Sequence, residues 1–446
     1  MNNIILMTDS YKFSHHKQYP PKTERVYSYL EARKGAEFKK VVFFGLQYYM
    51  RKYLEGTVVT KAKIDAAQEF VDMHMGKGVF NREMWDYILE EHYGRLPVRI
   101  KAVKEGSFVD IDNVLMTVEN TDDKCAPLTN HLETLLVKVW YPSTVATVAR
   151  MCKELIEDSL VDTGDDDADF KLHDFGYRGV SSEESAMLGG MAHLLSFNGS
   201  DTVAGMLGAS AWYDADLPVG YSIPAAEHST ITSWGKDREK DVYKHIISKA
   251  YPGGMVAVVS DSYDLYNACR NIWGGDLKED VLKRDGVVVV RPDSGYPPQI
   301  VLNTLEILGE KFGYSTNMYG YKVLNSHVRV IQGDGIDYNS MREILDKIIT
   351  YKRSTDNVTF GMGGGLLQKC DRDTMNFAMK CSAIKVSGEW REVSKKPATD
   401  SGKDSKAGKL ALLDKRTTAK YIDMDKDYVN GDLLQTVFEN GIVVRQ

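Results

Sequence analysis

The chain has 446 residues, 43% hydrophobic and 27% charged, a globular composition with apolar side chain for large cores and too long for a single small binding module. Lysine plus arginine number 56 against 63 aspartate plus glutamate, a net charge of −7, which argues against a nucleic-acid binder and makes any phosphate site local. Five cysteines without a CxxC pair suggest neither a disulfide framework nor a zinc knuckle, and no signal-peptide pattern or bilayer-length apolar stretch is found, so a cytoplasmic protein with reduced thiols is expected.

Up to about residue 150, strand-like runs at Val26–Leu30, Pro97–Val103 and Val114–Val118 and a helical run at Leu132–Val139 predict an α+β domain. The acidic patch Asp165–Asp169 reads as an exposed loop. From Phe170 to Gly365 a unit repeats: a short β-branched or apolar run, a polar or glycine-rich tip, then a helical pattern. Met255–Val259 ends in Ser260-Asp261-Ser262, Val287–Val290 in Arg291-Pro292-Asp293-Ser294-Gly295, Val328–Ile331 in Gln332-Gly333-Asp334-Gly335, and Val358–Phe360 in Gly361-Met362-Gly363-Gly364-Gly365. Between them Val301, Leu305, Leu308 and Phe312 form one helical stripe and Met341, Ile344, Leu345 and Ile348 another, with capping-box spacing from Ser340 to Glu343 placing a helix start at Ser340. Strands alternating with helices give a parallel sheet, and polar residues at strand carboxyl ends favour a β/α barrel over an antiparallel fold, with a doubly wound open sheet as the alternative. The expected architecture is α/β: an irregular β/α barrel over 151–365, with a second α+β domain built from 1–150 and completed by 366–446. The lysine-bearing stretch Lys395–Lys409 reads as an exposed loop, and most of its cations as a solvated face.

The strand tips carry the candidate chemistry. Gly333-Asp334-Gly335 and Gly361–Gly365 stand where β/α barrels hold a phosphate between their last two loops, although glycines also make plain tight turns. Arg291 and Asp293 emerge together at a strand end, to hold a phosphate or sugar hydroxyls, or only to pair with each other. His228 falls at the start of a helical stretch, placed as a general base or a phosphoryl acceptor, with Asp261 to orient its ring; a hydrogen-bonded structural histidine is the plainer alternative. Phe175 and Arg178 follow a strand, to sandwich a ring or simply to pack.

Nine segments together carry a resemblance. Thr8-Asp9-Ser10-Tyr11-Lys12, Phe44–Tyr48, Lys171–Ser182 (containing His-Asp-Phe-Gly-Tyr-Arg-Gly), Asp201–Gly205, Pro224–Thr230, Ser260–Asp264, Arg291–Gly295, Gln332–Gly335 and Gly363–Lys369 run in one order along nearly the whole chain. In this pattern the chain closely resembles the nicotinate/nicotinamide phosphoribosyltransferases, type II phosphoribosyltransferases. The resemblance implies transfer of phosphoribosyl from phosphoribosyl pyrophosphate to nicotinamide, giving nicotinamide mononucleotide and pyrophosphate for NAD salvage. It also implies Mg2+ with the pyrophosphate and ATP as a coupled co-substrate that phosphorylates His228, with Asp261 and Asp293 in the catalytic group.

By the same resemblance Phe175 and Tyr11 sandwich the pyridine ring, Tyr11 coming from the neighbouring subunit of a homodimer, while Asp201 accepts from the carboxamide. Asp9, Arg178 and Ser222 belong to the substrate set, Arg291 and Asp293 to the ribose region, and Gly333, Asp334, Gly363 and Gly364 to the ribose phosphate. Arg33, Arg372, Lys380, Lys395 and Lys403, together with Arg178, grip pyrophosphate or ATP phosphates. The resemblance names no direct metal ligands. Two positions depart from the family pattern, Ala378 and Ala257, each standing where a serine is familiar. Nicotinate as acceptor is the alternative, opposed by the carboxylate of Asp201. An aldolase or phosphosugar isomerase lacks its usual strand-end lysine or glutamate here, and a non-catalytic binding protein would keep the pockets without turnover.

Overall fold

The computed structural model describes residues 3–164, 167–398 and 404–444. Asp165, Asp166 and Lys403 therefore lie outside the described residues. Two compact units emerge, Met1–Thr147 with Asp371–Gln446, and Val148–Cys370.

In the unit Val148–Cys370, six parallel strands run in the order Gly199–Ser200, Leu172–Asp174, Val358–Met362, Val328–Gln332, Asp285–Arg291 and Gly253–Val259. The sheet curls, and the segment from Tyr221 to Ala225 makes one parallel bridge to each edge, Tyr221 to Gly199 and Ala225 to Ala257. Going round the ring, the staves follow chain order, the arrangement that right-handed strand–helix–strand crossovers generate. The valine runs form these strands because β-branched side chains suit a pleat buried on both faces. Val288 and Val290 are buried outward under the helices, while Val289 joins Ala257 and Ile331 in a small cluster inside the ring.

The helices Pro297–Phe312 and Tyr338–Thr350 bury the two predicted stripes. The second starts earlier than its sequence spacing indicated. Asp337 is the N-cap, its carboxylate accepting from the amides of Asn339 and Ser340, and the Ser340 hydroxyl oxygen accepts in return from the Asp337 amide at 2.8 Å rather than opening the helix. Aspartate and serine cap about equally well, so the geometry of the turn gives the cap to Asp337 and leaves Ser340 as its reciprocal partner.

The other unit is built on a seven-stranded antiparallel sheet, in the order Glu389–Glu392, Phe377–Val386, Thr23–Ala32, Asn113–Asn120, Val98–Ala102, Gln435–Glu439 and Ile442–Val443. The Lys409–Leu413 run forms a strand, Leu410–Leu413, that pairs in a hairpin with Thr417–Lys420. Lys409 corrects the solvated-face reading. Its side chain is 4% exposed, 3.3 Å from Glu119 and 3.5 Å from Asp427, with its ammonium 4.9 Å from the Trp390 ring. A run of lysines in sequence says nothing about which one the hairpin folds under.

Among the described residues no helix is long and apolar enough to cross a membrane, and all five cysteines are free thiols.

Candidate active site

Because side chains alternate across a strand, every second residue of each stave points into the ring. Met255 and Ala257, Val289, Arg329 and Ile331, Thr359, and His173 with Phe175 line a cavity of about 350 Å³, joined by Asp201, Tyr221, Ser222 and Ile223. Its wall is mainly apolar. Sequence reasoning had only Phe175, Asp201 and Ser222 of this set. The two-residue alternation running back from each polar tip was the signal for the rest.

Glycines at the ends of the neighbouring strands leave room for the Phe175 ring in the cavity wall. A Cβ at Gly361 would stand 2.0 Å from the Phe175 ring, and one at Gly333 3.4 Å from it. The glycines of these tips thus admit an aromatic ring as well as making turns. The Phe175 backbone is fixed by its amide donating to the Met362 carbonyl at 3.0 Å, and the Gly176 amide donates to Asp174 Oδ1 at 2.7 Å. Asp174 is fully buried, its Oδ2 lacks a hydrogen-bond partner, and burial pushes its carboxyl up to about 6. Burial also holds His173 below the usual histidine range. At the rim the Ser222 hydroxyl donates to the Asp201 carboxylate, so Asp201 keeps free lone pairs for a further donor.

Next to this ring pocket stands a histidine with acidic neighbours. His228 opens the short helix His228–Thr232 and is about half exposed. Its Nδ1 is 3.1 Å from Ser262 Oγ and its Nε2 is 3.3 Å from Asp293 Oδ2. Asp261, expected to orient the ring, stands at ion-pair distance from it without hydrogen-bonding it. Its Oδ1 lies 3.8 Å from His228 Nε2, outside hydrogen-bond reach, and its Oδ2 accepts from the Asp293 amide at 3.0 Å and the Ser294 hydroxyl at 2.6 Å. Asp261 thereby shapes the turn that presents Asp293. Ser262, one residue on, was missed because a serine beside an aspartate carries no sequence signal of its own. Arg291 pairs with Asp293 at 3.0 Å through Nη2, which is the ion-pair alternative.

The glycine tips complete the mouth. The Gln332 side-chain amide donates to the Asp334 carbonyl at 3.0 Å, and Asp334 itself is exposed. Gly363 precedes the single turn Gly364–Leu367, and a Cβ on Gly363 would meet the Phe175 carbonyl at 3.4 Å. Arg178 sits exposed in the turn Tyr177–Gly179.

The antiparallel unit holds the remaining candidates. Tyr11 is 56% exposed on the turn Ser10–Lys17, and Asp9 beside it accepts from the Thr134 hydroxyl at 2.6 Å. Arg33 donates to the Asn376 side chain at 2.7 Å. Lys380 is held below the usual lysine range by burial, and the charges of Arg33, Lys395 and Arg372 push the same way against Glu133. Three of the other predicted phosphate cations, Arg33, Lys395 and Arg372, thus act on Lys380.

Comparison with known proteins gives concordant results. Residues 170–442 match the nicotinate phosphoribosyltransferase (NAPRTase) family, and residues 3–100 match the nicotinamide phosphoribosyltransferase N-terminal domain. A protein of Xanthomonas campestris named nicotinamide phosphoribosyltransferase is 50% identical over 456 aligned residues, covering 100% of this chain and 96% of that one. One of the same name from Acinetobacter baylyi is 34% identical, covering 98% and 94%. Two crystal structures share the fold at 15% identity: a nicotinate-nucleotide pyrophosphorylase from Pyrococcus furiosus (TM-score 0.59, covering 100% of this chain and 92% of that one) and human nicotinic acid phosphoribosyltransferase (TM-score 0.56, 99% and 91%).

Proposed function

From its membership of the nicotinate phosphoribosyltransferase family, to which this chain belongs, we propose that it transfers phosphoribosyl from phosphoribosyl pyrophosphate to nicotinamide. It is a pentosyltransferase, nicotinamide phosphoribosyltransferase in activity, and its product feeds NAD biosynthesis. The observation that carries the choice of acceptor is the apolar cavity closed by Phe175 at one wall and Asp201 at the rim. A flat pyridine ring stacks on the phenyl face, and the carboxamide N–H donates to Asp201, which repels the carboxylate of nicotinate.

In the reaction the ring nitrogen of nicotinamide forms a bond to ribose C1 as the bond from C1 to the pyrophosphate oxygen breaks, the electron pair leaving with pyrophosphate. Positive charge develops at the ribosyl centre. Asp293, backed by Arg291, supplies negative charge at the mouth, and fixed cations stabilise the leaving anion. Magnesium fits the acidic side of this mouth, where Asp261 and Asp293 offer the oxygen donors it takes and the buried Asp261 Oδ1 lacks a hydrogen-bond partner. When bound it would neutralise the pyrophosphate as charge builds there.

ATP coupling runs through His228 in this reading. Nδ1 attacks the γ-phosphorus while Nε2–H donates to Asp293, ADP leaves with the bridging electron pair, and water later releases phosphate from the ring. Ser262 and Asp293 fix the tautomer available for attack. Active sites are shared in a homodimer, the Tyr11 of a second copy covering the open face of the nicotinamide ring.

The experiment is to supply magnesium and phosphoribosyl pyrophosphate with nicotinamide or nicotinate, each with and without ATP, and to quantify mononucleotides by mass. Nicotinamide mononucleotide, stimulated by ATP, is expected. Nicotinate mononucleotide would overturn the acceptor assignment, and an ATP-independent rate would remove the phosphohistidine. Sharing of sites is tested by mixing inactive Tyr11→Ala and Asp201→Ala proteins, since recovery of activity requires heterodimers with one intact site.

A further inference from the structure

A buried ion pair in the antiparallel unit has no part in the chemistry above. Glu31 is 1% exposed on the strand Thr23–Ala32 and forms a salt bridge with the Lys406 ammonium. Lys406 Nζ is also 3.0 Å from Asp112 Oδ1, and its backbone amide donates to the Tyr29 hydroxyl at 2.8 Å. Tyr29 in turn donates to Glu31 at 3.2 Å. Burial pushes the Glu31 carboxyl above its usual range, with the Lys406 charge acting against that rise. An isolated carboxylate would be costly there, so the pair specifies where residue 406 must lie rather than adding much stability.

What this clamp fixes is the neighbouring chain. Ser405, next to Lys406, donates its amide to the Lys395 carbonyl at 3.0 Å, and the Lys395 amide donates to the Ser405 hydroxyl at 2.8 Å. These two bonds tie the backbone of Lys395 to the clamped residue. The other end of the clamp lies on the strand that organises the remaining cations. Tyr29 is paired in register with Lys380, and Arg33 follows Glu31 by two residues. The charges of Lys395, Arg33 and Arg372 all act on Lys380, although no carboxylate of the clamp is offered to them as a partner.

We propose that Lys406, held by Glu31, Asp112 and Tyr29, is a positioning residue that sets Lys395 into register with Lys380 and Arg33 through the Ser405 clasp, so that the cations meet a pyrophosphate group together. The proposal rests on the reading above that these cations hold pyrophosphate. A long lysine side chain on an untethered segment would lose rotational freedom on binding, and the clamp removes that loss in advance. Lys406 itself touches no ligand. Its ammonium is consumed by two carboxylates, which separates it from the lysines free to reach an anion.

The test compares the wild-type protein with Lys406→Met, Lys406→Arg and the charge-matched double variant Glu31→Gln/Lys406→Met, which leaves no unpaired buried charge. Calorimetry with magnesium and inorganic pyrophosphate reads the anion affinity without relying on turnover, and the KM for nicotinamide serves as the control. Lys406→Met and the double variant should weaken pyrophosphate about tenfold, with the nicotinamide KM within about twofold of wild type and Lys406→Arg close to wild type in both. Unchanged pyrophosphate affinity in the folded double variant would overturn the proposal. So would a wild-type protein that binds no pyrophosphate, or parallel losses in both ligands, which mark general damage. Wild-type protein that binds pyrophosphate but forms no mononucleotide would sink the transferase reading alone, leaving the calorimetric comparison to decide the clamp.

Discussion

In the barrel unit the groups with chemistry stand at strand ends and are aimed by backbone. Asp293 follows Arg291 by two residues, Gly361 makes space for Phe175, and the Met362 carbonyl holds the Phe175 amide. In the antiparallel unit the cations are aimed by other side chains instead. Arg33 is fixed by Asn376, and Lys395 by a serine clasp beside a buried ion pair. The difference teaches where each unit is vulnerable. A strand end moves only with its sheet, so the barrel site fails through added bulk or removed charge. A side-chain-aimed cation fails when its partner is replaced, even at a distance.

Removing charge from the barrel mouth should have the largest effect. Asp293→Asn takes away the carboxylate that faces His228 and pairs with Arg291, and kcat should fall about 10²- to 10³-fold, read by steady-state turnover at saturating substrates. Loss under tenfold would show that the mouth does not depend on this group. Added bulk comes next. Gly361→Val places methyl groups where the Phe175 ring lies, and overpacking should cost about 1–3 kcal/mol in denaturant unfolding together with a marked rise in the nicotinamide KM. An unaltered KM would mean that the ring does not form the acceptor wall.

Asp201→Asn tests discrimination with little change in shape. Preference for nicotinamide over nicotinate should narrow about tenfold in the ratio of kcat/KM values, because repulsion of a substrate carboxylate is removed while a hydrogen-bond acceptor remains. A ratio equal to wild type would place the selectivity elsewhere.

The smallest effect concerns stability alone. Asp174 has its folded pKa raised to about 6 by burial, above the unfolded carboxyl. The native state therefore binds the proton more tightly, and the penalty for the buried carboxylate grows as pH rises through that value. Asp174→Asn should be more stable than wild type near pH 7.5, by on the order of 2 kcal/mol, and the gain should vanish near pH 4 in denaturant titrations. A pH-independent difference would contradict the burial argument.

The barrel was legible because its signals are local. Valine runs, polar tips and 3.6-residue stripes repeat within about thirty residues, and strand, tip and helix follow from neighbours in sequence. The capping of the Tyr338–Thr350 helix was read one motif too late, since Asp337 and Ser340 both have capping character and only geometry decides between them. The partner of His228 was less accessible. Asp261, Ser262 and Asp293 all reach strand ends near it, and differences of under 1 Å between 3.1, 3.3 and 3.8 Å select the bonded pair. Lys409 and Lys406 were hidden for a stronger reason, because their carboxylates, Glu119 and Glu31, lie nearly three hundred residues or more away in sequence.

By itself the sequence determined that this chain builds parallel strands tipped by Asp, Arg, His and Gly, because side-chain shape, charge and period act over short stretches. It also determined the family, through motifs held in order along the chain. Only the tertiary structure decided which carboxylate bonds the His228 ring, that a glycine makes room for Phe175, and which lysine of a basic run is buried as an anchor. Those outcomes depend on distances between segments remote in sequence, where packing and desolvation choose among residues of equal local character.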